Sequence, residues 1–226
     1  MRQLSCEWLG EISYDSALER QHAMRELVLE QQHSGAVLLL THPPTITIGR
    51  HGNAQNVLLS DAQRSVVTIH HVERGGDVTY HGPGQLVGYP IIDLSAMGIR
   101  GIKRYLEKLS LVLQRVVARW GIQAEWDEKI PGLWVGNQKI AAFGIRVTRH
   151  VTTHGFALNV SPNLEHFRWI VPCGIQDCGV TSLAVFLNEK TPTMKAVTDA
   201  FCSEFAWEFG VRWTSLPIPG SDGSNE

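Results

Sequence analysis

The segment from Arg74 to Pro90, RGGDVTYHGPGQLVGYP, sets the tightest constraint on how this chain folds. Glycine stands at 75, 76, 82, 84 and 88, so backbone here must take positive φ or lie close against another group. A flexible linker is rich in Gly and Ser and poor in aromatics. Here Arg74, Thr79, Tyr80, His81 and Gln85 are set among the glycines, and the run leads into apolar Leu86 to Ile92. The pattern predicts a ligand-facing loop that enters a buried strand.

Two phosphate-binding readings of this loop fail on their own mechanics. A Walker loop places Lys and then Ser or Thr after its last glycine, whereas Gly84 is followed by Gln85 and Leu86. A dinucleotide fingerprint opens a helix, whereas Gly82-Pro83-Gly84 precedes a β-rich run, and Pro83 lacks an amide that a pyrophosphate would use. The net charge of −2, from 20 Lys and Arg against 22 Asp and Glu, has no basic run beside it and argues against nucleic acid as a partner. The acidic N-terminal stretch lacks the apolar region of a signal peptide, and the best apolar run, Ala36 to Leu40, is far too short to span a membrane; a cytoplasmic protein without membrane attachment is expected. Cys6, Cys173, Cys178 and Cys202 are then read as thiols and not as a disulfide framework.

Periodicity gives a mixed set of elements. A helix capped at Asp15 or Ser16 is expected to reach about Gln32, with Ala17, Met24, Leu27 and Val28 toward the core. A clearer one carries Ile102, Tyr105, Leu106, Leu109, Val112, Leu113, Val116, Val117 and Trp120 as an apolar stripe and stops at Gly121. A third spans Met194 to Phe209, with Val197, Phe201 and Phe205 on one face and Gly210 at its end. Strands are expected at 36–40, 66–70, 85–92, 133–135, 139–147 and 156–160, with a hairpin turn at Gly136-Asn137-Gln138. The fold class is α+β in one domain over 1–214, with 215–226 a disordered tail that lacks apolar periodicity.

Cys173, between Pro172 and Gly174, suits an irregular loop where a thiol meets substrate, while Cys202 lies in an amphipathic helix and Cys6 in a strand. From the residues alone, Cys173 is either a nucleophile or a small buried hydrophobe, and Lys139 is either its cationic neighbour or a solvated hairpin lysine. His81 and His154 are competing candidates for a base. Metal binding finds no paired ligand spacing, since Cys173 and Cys178 have no second matching pair.

The Arg74 to Pro90 run, Lys139 in GNQKIAAFGIRV, His154-Gly155 before Phe156 to Val160, and Val171-Pro172-Cys173-Gly174 together resemble the lipoyl(octanoyl) transferases of the biotin and lipoate protein ligase superfamily. The resemblance runs from His42-Pro43-Pro44 to Thr181-Ser182-Leu183 in order and spacing. Thr153 departs from it, because an aromatic more often stands there. The resemblance implies a central mixed sheet flanked by helices. It makes Cys173 the acyl-carrying nucleophile and Lys139 its dyad partner. It assigns substrate binding to Arg74, Gly75, Gly76, Asp77, Val78, Thr79, Tyr80 and His81, to Ala142, Phe143 and Gly144, and to His154, Gly155, Phe156 and Ala157.

The implied reaction moves octanoyl from octanoyl-acyl carrier protein to a lysine of an apo lipoyl domain through octanoyl-Cys173, the first step of protein lipoylation, with no ATP, metal or other cofactor. Acceptors on this reading are the E2 subunits of 2-oxoacid dehydrogenases and the glycine cleavage H protein. Arg50, Arg146, Arg149, His150 and Arg168 are candidates for a patch that meets these acidic partners. The alternatives are an ATP-dependent lipoate or biotin ligase on the same fold, a Cys/His acyl hydrolase, and a carrier-binding module in which Cys173 only packs.

Overall fold

The computed structural model describes residues 2–128, 130–171 and 179–215. Cys173, Cys178 and, of the expected tail at 215–226, residues 216–226 lie outside the described residues. In chain order the strands are β1 (Arg2–Glu11), β2 (Gly35–Thr41), β3 (Thr45–Ile48), β4 (Thr68–His71), β5 (Val78–His81), β6 (Gln85–Ile92), β7 (Glu125–Asp127), β8 (Gly132–Val135), β9 (Gln138–Thr148), β10 (Val151–Asn159), β11 (Gly179–Val180) and β12 (Val211–Thr214). The helices are α1 (Tyr14–Leu29), α2 (Asp61–Arg64), α3 (Gly101–Ala118), α4 (Leu183–Leu187) and α5 (Met194–Phe209).

Among the described residues the large sheet runs β12-β1-β2-β6-β10-β9-β8-β7, with β11 also on β9. The pairs β12–β1, β1–β2 and β11–β9 are parallel and the rest antiparallel, so the sheet is mixed, as expected. β2, β6 and β10 lie at its centre and are buried along nearly their whole length. Strands covered on both faces must be apolar on both, and for that reason VLLL and the run 86–92 read as continuous apolar segments without alternation. One face packs on α3 and α5 through Tyr105, Leu109, Val116, Phe201 and Phe205. The other packs on α1 through Ala17, Met24 and Val28.

The helices show which local signals carried. α5 has the expected bounds, and Gly210 closes it at φ 63, a left-handed cap that glycine adopts without a Cβ clash. In α3 the inner part of the stripe is buried, but Ile102 at the first turn is 47% exposed because the helix begins there, beyond the edge of the core. α1 starts one turn earlier than expected. Ser13, not Asp15 or Ser16, is the cap: its hydroxyl accepts from the Ser16 amide at 3.2 Å. The helix stops at Leu29 because Gln31 takes φ 59, and Leu27 is only half-buried.

A second sheet of three strands, β4-β3-β5, lies beside the first and has its own core of Ile46, Ile48, Leu59, Val67, Val78, Tyr80 and Ile170. The expected loop at 74–84 is therefore only partly a loop, since Val78–His81 is a strand paired antiparallel to Thr45–Ile48. β10 also begins five residues before its expected start at Phe156. Its first half faces Pro90, which has no amide to donate in the middle of β6. The Thr152 hydroxyl takes over the ladder there, donating to the Pro90 carbonyl at 2.7 Å and accepting from the Ile92 amide at 3.0 Å. Regular β6 pairing resumes at Phe156 opposite Gly88.

Gly88 has no room for a side chain, because a Cβ there would run into the Phe156 ring. Gly88→Ala is expected to cost about 1–3 kcal/mol by overpacking at this crossing. Denaturant unfolding at constant m-value measures it, and a change below about 0.5 kcal/mol would mean that the Phe156 ring moves aside freely.

Candidate active site

A cleft of about 820 Å³, including its open mouth, lies between the α1 face of the large sheet and the second sheet. Its floor comes from β9 and β10, where Ala142 pairs with Ala157 and Gly144 with Gly155. These small side chains keep the floor low. Gly144 in addition leaves the space that the Arg74 side chain fills, since a Cβ there would sit 2.7 Å from Arg74 Cδ.

Lys139 and Arg74 stand toward opposite ends of the β9 floor, because Lys139 and Gly144 are five residues apart, about 17 Å along a strand. At the Lys139 end β10 gives out and β11 replaces it: Val180 pairs with Lys139, and the Thr181 amide donates to the Lys139 carbonyl at 3.0 Å. On its other side Lys139 pairs with Trp134, and its Nζ lies 4.7 Å from that ring's centroid. Gly132 makes room for the lysine stem, as a Cβ there would be 2.7 Å from Lys139 Cε. Pro131, Phe167 and Val180 line the cleft with Lys139.

Arg74 is only 7% exposed, which excludes a surface salt bridge as its role. Its Nε and Nη2 donate to the Thr47 hydroxyl at 3.1 and 2.8 Å, Nη2 also to the Thr47 carbonyl at 2.7 Å, and Nη1 to the Gly75 carbonyl at 2.9 Å. The guanidinium thus ties the glycine loop to β3. Asp77 ties the same loop outward, its carboxylate accepting from the Asn53 amide at 3.1 Å and the Asn56 side chain at 2.8 Å. The Asn56 carbonyl accepts in turn from the Val171 amide at 2.8 Å.

Around Arg74 stands a group of buried rings. His154 is 4% exposed and holds φ 57, an uncommon backbone state outside glycine. It is fixed from outside the strand, as a strained backbone requires. Its amide donates to Gln21 Oε1 at 2.7 Å, and its Nδ1 lies 3.4 Å from the Tyr14 hydroxyl. His42 is fully buried. It donates from Nδ1 to the Ile12 carbonyl at 2.9 Å and accepts at Nε2 from the Tyr89 hydroxyl at 2.8 Å, as a neutral imidazole can. His81 Nδ1 has no hydrogen-bond partner among the described residues.

Burial sets the charge state of all three. It lowers His42 to about 4 and His154 to about 3, and it holds His81 well below the ordinary imidazole value, with His42 and Arg74 adding repulsion. At neutral pH these are uncharged imidazoles. They can exchange hydrogen bonds but supply no cation. Burial likewise pushes the Tyr14 phenol up to about 12 and the Tyr89 phenol well above its usual value.

Of the sequence-derived residues, Arg74, Gly76, Asp77, Val78, Thr79, His81, Lys139, Ala142, Phe143, Gly144, His154, Gly155, Phe156 and Ala157 all border this one cleft. Gly75 and Tyr80 do not. The Gly75 amide is spent on the Ile145 carbonyl at 3.0 Å. Tyr80, one residue out of phase with Thr79 and His81, points into the second core with its hydroxyl 2.7 Å from His166 Nδ1. Tyr14, Tyr89 and Asn159 line the cleft without having been singled out. Asn159 accepts from Gln85 at 2.9 Å and donates to the Thr181 carbonyl at 2.9 Å. Among the described residues no group of three or more His, Cys, Asp or Glu side chains is placed to hold a metal ion, and no helix is long and apolar enough to cross a membrane.

Residues 13–206 match the lipoyl protein ligase A/B catalytic domain family. An octanoyltransferase of Caldicellulosiruptor bescii is 49% identical over 219 residues, covering 95% of this chain and 94% of its own. The chain belongs to the octanoyltransferase family. Another member, from Solibacter usitatus, is 45% identical and covers 98% of both chains. Among solved structures, a lipoate-protein ligase A bound with ATP superimposes with a TM-score of 0.73, covering 97% of this chain and 90% of its own at 13% identity. A putative lipoate protein ligase of T. acidophilum gives 0.72 at 14% identity, over 95% of this chain and 88% of its own. At such identities these two speak for the fold, and they agree with the expected single α+β domain around a mixed sheet.

Proposed function

We propose that this member of the octanoyltransferase family moves an octanoyl group from octanoyl-acyl carrier protein to the ε-amine of a lysine on apo lipoyl domains, through a thioester on Cys173. The acceptors are the lipoyl domains of 2-oxoacid dehydrogenase E2 subunits and the glycine cleavage H protein. The observation that carries the reading is the place of Lys139. It borders the cleft at the point where the chain, returning from the segment that contains Cys173, pairs Val180 with Lys139.

A free thiol has a pKa near about 8.5 and needs a cation beside it to be mostly thiolate at neutral pH. The ammonium of Lys139 fills that role, and the neutral His81 and His154 do not. Cys173 thiolate attacks the thioester carbonyl, and the carrier's phosphopantetheine sulfur leaves with a proton from Lys139. The acceptor amine then attacks octanoyl-Cys173. The amide C–N bond forms, the Cys173 C–S bond breaks, and the amine proton returns to Lys139. Thioester to amide runs downhill, so the cycle needs no ATP.

The apolar floor at Ala142 and Ala157 suits the alkyl chain, whose burial contributes about 5 kcal/mol at most, at about 0.8 kcal/mol per methylene. That is enough to prefer eight carbons over much shorter chains. Of the basic residues proposed to meet acidic partners, Arg146 pairs with Glu73, Arg149 with Glu26 at 4.0 Å and Arg168 with Glu165 at 2.8 Å. Docking there would exchange existing ion pairs for new ones.

Incubating the protein with octanoyl-carrier protein and an apo lipoyl domain, without nucleotide, is expected to add one octanoyl group to the acceptor lysine. An absolute requirement for ATP would assign the chain to the ligase reaction, and release of free octanoate alone would make it a hydrolase. His81→Ala and His154→Ala are expected to raise KM or alter chain-length preference while leaving iodoacetamide alkylation of Cys173 intact. Loss of thiolate reactivity in either variant, as complete as in Lys139→Ala, would favour Cys/His activation.

A further inference from the structure

On the opposite face of the large sheet from the cleft, Cys6 Sγ of β1 and Cys202 Sγ of α5 lie 3.4 Å apart. Neither lines the cleft, and the proposed reaction uses neither. Both are free thiols and both are half-buried, so a small reagent can reach them. Their backbones are held independently: Cys6 is paired with Val37 in the sheet, and the Cys202 carbonyl accepts from Trp213 Nε1 at 3.1 Å. We infer that Cys6 and Cys202 form an oxidative crosslinking site, at which a small-molecule disulfide converts the two thiols into one intramolecular disulfide that staples β1 to α5.

The chemistry assigns an order to the pair. The Cys6 thiol keeps its proton, because hydrogen bonding to Cys202 and burial push it up. The hydrogen bond that Cys202 receives from Cys6 holds the Cys202 thiol below its ordinary value. Cys202 is therefore the first nucleophile. Its thiolate attacks one sulfur of the external disulfide, that S–S bond breaks, and one reduced thiol departs. Cys6, losing its proton, then attacks the Cys202 sulfur of the mixed disulfide and expels the second thiol. Two protein thiols are oxidised, one external disulfide is reduced to two thiols, and the two protons leave on those products. The sulfurs must move from 3.4 Å to the bonded separation of about 2.05 Å.

The two cysteines are 196 residues apart in the chain, so the bond closes most of the protein into one loop. Cross-links that close long loops restrict the unfolded ensemble most, and an increase in melting temperature of about 10 °C is expected. The fold needs no bond there, since the surrounding core is already packed.

The test treats fully reduced protein with oxidised glutathione, blocks remaining thiols with iodoacetamide, and maps cysteine peptides with and without reductant. A linked pair joining the Cys6 and Cys202 peptides is expected, together with the higher melting temperature. Both effects should be absent from Cys6→Ser and Cys202→Ser, whose octanoyl transfer should equal that of the reduced wild type. Mapping by peptide keeps any glutathione on Cys173 or Cys178 separate. Carbamidomethyl on both Cys6 and Cys202, or stable glutathione on each without a link, would overturn the inference.

Discussion

Cys173→Ser is expected to lower octanoyl transfer by roughly a thousandfold or more, because a serine hydroxyl beside an ammonium is far less ionised than a thiol. Lys139→Ala should cost roughly a hundredfold, the usual scale of positioned acid–base catalysis, and should raise the pH at which Cys173 becomes alkylated. Lys139→Arg separates the two parts of the role. Arginine restores the positive charge, and with it most of the thiolate, but gives up no proton near neutral pH, so alkylation should recover while transfer recovers only in part. Iodoacetamide rates at Cys173 across pH for wild type, Lys139→Ala and Lys139→Arg, set beside single-turnover transfer for these and Cys173→Ser, read both quantities. An unshifted alkylation profile in Lys139→Ala would leave Lys139 as a neighbour of Trp134 with no part in activating the thiol.

The second large effect is loss of stability in acid. His42 and His154 have folded pKa values of about 4 and about 3. Both lie below the ordinary value of about 6.5 that they regain on unfolding. Above about pH 6.5 neither state binds the protons, so the full stability is present. As pH falls below that, the unfolded chain takes up protons that the folded one refuses. Stability is lost progressively until the folded values are reached. For fully buried His42 alone the loss is on the order of 3 kcal/mol, a large share of the roughly 5–15 kcal/mol that holds a domain together. Thermal melts at about pH 7.5 and about pH 5 should differ by several degrees. His42→Gln should be less stable at neutral pH and show a shallower slope in acid. A melting temperature that does not change across this range would mean that the buried ring cluster opens readily to water.

What could be read in the sequence followed the range of the forces involved. α5 and the interior of α3 are set by apolar side chains three and four residues apart, and β6 by an unbroken apolar run, all within one window of sequence. Thr152-Thr153-His154-Gly155 in the first half of β10 comes before the apolar run from Phe156 that marks the expected strand. It is a strand because it pairs with Val147 to Gly144 of β9, and on its other side Thr152 bonds β6 and Gln21 of α1 takes the His154 amide, partners at least 60 residues away. In the second sheet a strand was expected at 66–70, where β4 lies, but its other two strands were hidden for a related reason. TITI and VTYH are four-residue runs flanked by prolines and glycines, and they become strands by pairing with each other and, for TITI, with Thr68–His71.

The cleft follows the same rule. Arg74, Lys139, the 142–144 and 155–157 runs and His81 lie in marked stretches of sequence that converge on it. Tyr14 enters from the first turn of α1 with no local mark, and Tyr89 lies in the marked stretch but within its apolar strand, where nothing in the sequence signals that it faces the cleft. Tyr80 shows the opposite failure: it sits inside the marked stretch, yet the two-residue period of β5 turns it away from Thr79 and His81 and into the second core.

The central claim, a covalent octanoyl-Cys173 intermediate, is tested most directly by mixing the protein with octanoyl-carrier protein alone and mapping the adduct by peptide mass before and after adding apo lipoyl domain. The account predicts one octanoyl group on the peptide containing Cys173, labile to hydroxylamine as a thioester is, and chased onto the acceptor lysine without nucleotide at the rate of overall transfer. An adduct on Cys178, or transfer at full rate with no adduct on Cys173, would contradict it.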